Sequence, residues 1–189
     1  MKIILASGSP RRRELLKMIG LEDFEVVPDK SEEPVFEGLT PERTVCKIAL
    51  TKAKNVYSTR PDADLIIAAD TEVFLNDKAF GKPVDEKDAQ RILKTLSGRN
   101  HTVCTGIALI FGDIIVTGAQ STEVYFRDIS EKEIIEYVAT GEPMDKAGAY
   151  GAQGRGAVFI EKLNGDFFNV MGLPVCRLSV MLKNLGVRI

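Results

Sequence analysis

Leu65-Ile66-Ile67-Ala68-Ala69-Asp70-Thr71 is the stretch on which the reading of the fold turns. Five apolar residues run directly into a carboxylate. A continuous apolar run of this length reads as a strand covered on both faces, the kind found inside α/β proteins. In open α/β sheets, ligands bind just past the carboxyl ends of such strands. Asp70 stands at that place. It is either the opening of a turn or a functional acid. Basic groups elsewhere, at Arg11 to Arg13, Lys52, Lys82 and Lys146, favour the second. One acid among many bases suits a polyphosphate and its metal ion.

The 189 residues suit one large domain, or one domain with a small lobe. An apolar content of 44% supports a real core. Lys plus Arg number 25 and Asp plus Glu 27, a net charge of −2. That balance argues against nucleic acid as the main partner. The basic residues are clustered locally, as for a small anion. Cys46, Cys104 and Cys176 are odd in number and widely spaced, so neither a disulfide framework nor a zinc knuckle is indicated. The N-terminal apolar run is too short for a signal peptide, and no run reaches the ~18 apolar residues of a membrane helix. A cytoplasmic protein without a membrane partner is expected.

Working outward from Asp70, Ile3 to Ala6 reads as a short buried strand. Ser7-Gly8-Ser9 follows as a tight loop, with Ser9 as cap and Pro10 as first residue of a helix ended by Gly20. Strand, glycine loop and helix start form an anion-binding layout. Three arginines in that first turn oppose the helix dipole; either a bound phosphate relieves the conflict or the turn is a solvated basic one. Phe24 to Val27 reads as a strand. The acidic loop after it reads from its residues as a solvated surface turn; folded over the site, its Glu32 or Glu33 could supply a metal oxygen. Thr40-Pro41 opens a second helix with a buried stripe of Val45, Ile48, Ala49, Ala53 and Val56. Lys52, seven residues after Val45, falls on that stripe. It either snorkels to water or points into a cleft.

Beyond Asp70, Asn76-Asp77 is a turn and Gly81-Lys82-Pro83 a stiff exit holding Lys82. Asp85 caps a helix to Leu96. His101, the single histidine, starts a strand and reads as structural. Val103 to Phe111 and Ile114 to Thr117 form a hairpin around Gly112-Asp113, and Thr122 to Arg127 reads as a further strand. Ser130 and Glu133 form a capping box. The run from Gly141 to Gly156 holds five glycines and few large apolar residues. A loop of that length in a compact domain is usually functional. Lys146 in it could reach a phosphate. Gln153 carries an amide able to read a base edge, and Gly148, Gly151 and Gly154 would let backbone approach that base. Ala157 to Ile160 reads as a strand, Asn164-Gly165 as a turn, and Pro174 opens a last helix.

Six pieces in this order resemble the Maf-type nucleotide pyrophosphatases over nearly the full length. They are Leu5 to Arg12, Ala69-Asp70-Thr71, Gly81-Lys82-Pro83, Ser97 to His101, Glu142 to Gly151, and Asn169 to Pro174. The resemblance implies a single α/β domain over 1–189, an elongated mixed β-sheet flanked by helices with a central cleft, and a homodimer. It implies hydrolysis of a nucleoside triphosphate to the monophosphate and pyrophosphate with Mg²⁺ or Mn²⁺. Asp70 matches the family's catalytic acid. Arg12, Arg13, Glu33, Lys52 and Lys82 match its phosphate and metal surroundings, and Arg12, Thr71 and Gln153 match positions linked to substrate choice. Asp145 to Gly151 looks like the dTTP/UTP branch. Asp70 could hold the metal or orient and deprotonate a water. The rival readings are a nucleotide-binding regulator of cell division, in which hydrolysis is incidental, and a nucleotidyltransferase.

Overall fold

The computed structural model describes residues 1–31, 34–36, 38–76 and 78–188. The chain divides into two compact units. One comprises Met1–Thr71, Thr105–Gln120 and Gly172–Ile189; the other comprises Glu72–Cys104 and Ser121–Met171.

In the first unit, β1 (Ile3–Leu5) pairs in parallel with β2 (Glu25–Val26) and with β3 (Leu65–Leu75). Leu65, Ile66 and Ile67 are fully buried, as the apolar run requires, a burial worth roughly 1.5–3 kcal/mol per side chain. Helix α1 (Pro10–Met18) buries Leu15 and Leu16, and α2 (Pro41–Thr59) buries its expected stripe from Val45 to Val56. Ala49, Ala53 and Val56 of α2 pack with Ile4, Ala6, Ile66 and Ala68. The even-numbered side chains of β3 therefore face α2. Thr40 caps α2 by accepting from the Arg43 amide. Ser9 makes no such side-chain bond at α1, contrary to expectation, although Pro10 does open that helix.

β3 is longer than the apolar run suggests. Its first part pairs with β1, the last pair being Leu5 with Ile67. Its last part pairs antiparallel with β4 (Lys78–Phe80), matching Val73 with Phe80. Asp70 is therefore inside a strand rather than past its end. The expected placement survives for β1, which stops before Ser7 and leaves a loop in its place.

The second unit packs α3 (Glu86–Leu96), capped by Asp85, and α4 (Glu131–Val138), which has the expected capping box. Val73, Leu93, Leu96, Val124, Phe126, Tyr137, Tyr150 and Phe159 share its core. β5 (Asn100–Phe111) and β6 (Ile114–Phe126) form the hairpin around Gly112. β6 is one strand where two were expected. Gly118 does not break it: a Cβ there would come within 3.1 Å of Met181 Sδ, so the glycine marks a close approach, not a turn. Ala157 to Phe159 belong to a 3₁₀ segment, Arg155–Phe159, and β7 (Ile160–Asn164) starts only afterwards. β7 pairs antiparallel with β6. Helices α5 (Phe167–Met171) and α6 (Val175–Asn184) close the chain, Pro174 standing at the cap of α6. The sheet order among the described residues is β2-β1-β3-β5-β6-β7, with β4 paired to β3.

Candidate active site

Asp70 is 4% exposed. The Lys52 ammonium donates to its Oδ1 at 2.7 Å. Lys52 thus leaves the apolar stripe of α2 to meet the carboxylate, choosing the inward of its two alternatives. Two charges removed from water at this spacing are strongly coupled, and removal of one leaves the other uncompensated.

Thr71 points to the opposite face of β3, because successive strand side chains alternate. There it meets Arg12, whose Nη2 donates to Thr71 Oγ1 at 3.1 Å. Arg12 Nε donates to the Gly172 carbonyl at 2.8 Å, and Nη1 to Ser7 Oγ at 3.1 Å. A further bond of 2.8 Å joins the hydroxyls of Thr71 and the fully buried Thr105. The guanidinium fork is thus fixed by acceptors from three separate segments. Arg13 is exposed. Neighbouring helix residues do not share a face, so the three arginines of the first turn cannot all do what Arg12 does.

The acidic loop begins with Asp29, which accepts from the Ser31 amide at 3.0 Å and from Asn55 Nδ2 at 3.1 Å. Burial pushes the Asp29 carboxyl up. The bonds from Ser31 and Asn55, with the Lys52 charge, outweigh it and hold the group below its ordinary value. Glu33, the expected second metal carboxylate, lies outside the described residues, as does Glu32. Among the described residues no three His, Cys, Asp or Glu side chains gather into a metal cage. Mg²⁺ is commonly held by one or two carboxylates and substrate phosphates rather than by an all-protein cage. Asp70, a buried hard oxygen donor, fits such a role.

In the second unit, Lys82 is exposed, and the Gly81 carbonyl before it accepts from the Gly148 amide at 3.1 Å. Gln153 is also exposed. Lys146 is tied into its own loop: its Nζ donates to the Glu142 carbonyl and to Asp145 Oδ1, each at 2.6 Å. The loop glycines serve the loop's own packing. A Cβ on Gly148 would meet Val73 at 2.6 Å, and one on Gly154 would collide with Glu142 Oε1. His101 is structural, as expected. It is buried against Phe126 and Tyr150, with Nε2 2.8 Å from the Tyr150 hydroxyl. Burial lowers its pKa to about 4, so the ring is neutral near pH 7.

The residues that hold the site were not read from the sequence. Ser7, Thr105 and the Gly172 carbonyl act on Arg12 and Thr71 through contacts spanning up to 160 residues. Ser7 and Gly172 stand in the quoted motifs, but no spacing rule links them to Arg12.

Fold and site together define a mixed α/β protein in which a strand–loop–helix turn carries the fixed Arg12 and buried Asp70 is paired with half-buried Lys52. The fold is shared with the Staphylococcus aureus Ham1 protein, at a TM-score of 0.55 and 16% identity over 98% of this chain and 100% of that one. A HAM1 protein from Coxiella burnetii gives 0.56 and 17% over 97% and 99%. The family model described as Maf-like protein matches residues 2–185, and the chain belongs to that family. A relative from Aquifex aeolicus named dTTP/UTP pyrophosphatase is 48% identical over 99% of this chain and 97% of its own. One of the same name from Dictyoglomus thermophilum is 48% identical over 98% and 96%. A third, from a Geobacillus strain, is 44% identical over 98% of each.

Proposed function

We propose that the protein is a nucleoside triphosphate pyrophosphatase that hydrolyses dTTP and UTP to the monophosphate and pyrophosphate. The observation that carries this reading is the pairing of buried Asp70 with half-buried Lys52, beside the fixed Arg12 fork held by the next residue of the same strand. Full-length identity to relatives named for this activity supports it.

Cleavage between the α and β phosphates builds charge on the leaving pyrophosphate. Arg12 offers planar, directed donors to that charge, and Lys52, held at Asp70, offers an ammonium with further N–H donors. Arg13 and Lys82 are further phosphate contacts, together with any donor Lys146 does not use within its loop. Asp70 either orients and deprotonates the attacking water or would supply an oxygen to the metal. In the latter role Asp70, with Glu33 as the second carboxylate that the family resemblance implies, would hold a Mg²⁺ or Mn²⁺ ion, which would supply charge neutralisation at the phosphoryl oxygens. Gln153 reads the pyrimidine edge, and Thr71 and Arg12 share in substrate choice. The near-neutral net charge supports a free nucleotide over nucleic acid as substrate. The family resemblance supports a cytoplasmic homodimer, and no described helix is long and apolar enough to cross a membrane.

Incubation with dTTP and Mg²⁺, without any second substrate, tests the reaction. The expected products are dTMP and pyrophosphate. Release of orthophosphate alone, or a requirement for an acceptor, overturns the proposal.

A further inference from the structure

Glu142 opens the glycine-rich segment, and the chain folds back around its carboxylate. Tyr137, buried on α4, donates its hydroxyl to Glu142 Oε1 at 2.9 Å. The Gly156 amide donates to the same oxygen at 3.2 Å, and the Arg155 amide to Oε2 at 2.9 Å. The Tyr137 hydroxyl in turn accepts from the Gly151 amide at 3.1 Å.

These bonds close around one short turn. Residues Gly151 to Gly154 form it, with the Gly154 amide donating to the Gly151 carbonyl at 3.2 Å. Gln153 stands on it, exposed. The Gly151 end is tied to Glu142 through the Tyr137 hydroxyl; the far end is tied directly through Arg155 and Gly156. The glycines give the room. A Cβ on Gly151 would lie 3.0 Å from Glu142 Oε1, and one on Gly156 would lie 2.8 Å from the Tyr137 hydroxyl. Burial pushes the Glu142 carboxyl up, but the amide and hydroxyl donors and the Lys146 charge outweigh it and hold it below its ordinary value. The acceptor is therefore a carboxylate at neutral pH, and charge-assisted bonds of this kind are the strong ones.

We propose that Glu142 is a positioning residue for base selection: its carboxylate, with the Tyr137 hydroxyl, fixes the turn that presents the Gln153 amide. This inference rests on the reading of Gln153 as the base reader. An amide that must match an acceptor–donor–acceptor edge discriminates only while its orientation is fixed. Without the carboxylate the turn keeps its sequence, loses the anchor at its far end, and is left at the near end with a Tyr137 hydroxyl that has lost its own acceptor.

The test is kcat/KM for UTP and CTP with Mg²⁺, in the unmodified enzyme and in folded variants verified by circular dichroism. Unmodified enzyme that treats UTP and CTP alike overturns the base reading, and this inference with it, before any variant is made. Given discrimination, Glu142→Gln lowers the UTP-to-CTP ratio by roughly tenfold, the scale for a lost bond to a charged acceptor. Tyr137→Phe, which removes one hydroxyl, lowers it by roughly threefold. Combining Glu142→Gln with Gln153→Ala gives the ratio of Gln153→Ala alone, because the carboxylate acts on selection through Gln153. A Glu142→Gln enzyme that loses rate equally on both nucleotides, its ratio unchanged, overturns the positioning role while the base reading stands. Should Glu142→Gln not fold, Tyr137→Phe decides in the same way, alone and combined with Gln153→Ala. An unchanged ratio then overturns the proposal.

Discussion

At β3 the bonded partners come from far along the chain: Asp70 meets Lys52 across 18 residues and Thr71 meets Arg12 across 59. In the glycine-rich segment Glu142 meets Arg155 and Gly156 across 13 and 14. The first set projects from regular elements, and its geometry is inherited from a strand, two helices and the core beneath them. The second is a loop held by its own carboxylate. A group on a packed strand cannot move without moving the core, whereas a loop residue is only as fixed as its anchors. The difference assigns the tasks. Charge stabilisation depends on distance at a fixed point, which a scaffold supplies. Selection among bases differing by a few polar groups can be tuned by a loop whose anchors change independently of the fold.

If the β3 set carries the chemistry, its loss is the most costly. Asp70→Asn keeps the shape of the carboxylate but leaves the Lys52 charge uncompensated, so it is expected to lower stability and, in the protein that folds, to lower turnover at least roughly 100-fold. Near-normal turnover in folded protein would remove Asp70 from the mechanism and break the comparison at its strongest point.

The core under the loop makes a stability prediction. The unfolded chain binds a proton on His101 near its ordinary pKa of 6.5, while the native ring refuses it until about 4. The unfolded state therefore gains protons first as pH falls. Stability drops by roughly 3 kcal/mol between pH 6.5 and 4, at 1.36 kcal/mol per unit. Melts across this range should show the slope in the unmodified protein and a flatter one in His101→Phe. Identical slopes would mean that this buried ring does not set acid sensitivity.

Arg12→Lys sharpens the comparison from the scaffold side. A lysine cannot satisfy the Gly172, Ser7 and Thr71 acceptors together. The expected loss in kcat/KM is about 10- to 100-fold, the range for lost charged hydrogen bonds. Full activity would show that lysine's charge suffices and the fork does not matter. Gln153→Ala, the smallest change, is expected to narrow the UTP-to-CTP gap about tenfold while lowering the common rate less. A uniform fall in rate with selectivity intact would place base choice outside the loop.

The sequence by itself determined the elements whose local chemistry is decisive. The Leu65-to-Ala69 run, the α2 stripe, the Thr40 and Asp85 caps and the Ser130–Glu133 box were each legible, because burial period and capping act within a few residues. It also placed the acid, the arginine loop and the glycine-rich segment in order. The tertiary structure decided the rest. It continued β3 through Asp70 to Leu75, because β4 folds back to pair with it. It sent Lys52 to Asp70 and Arg12 to Thr71 on opposite faces of that strand, and it filled the space beside Gly148, Gly151 and Gly154 with Val73 and the Glu142 carboxylate. Each of these depends on which distant group arrives at a given point, and no periodicity in the chain records that arrival.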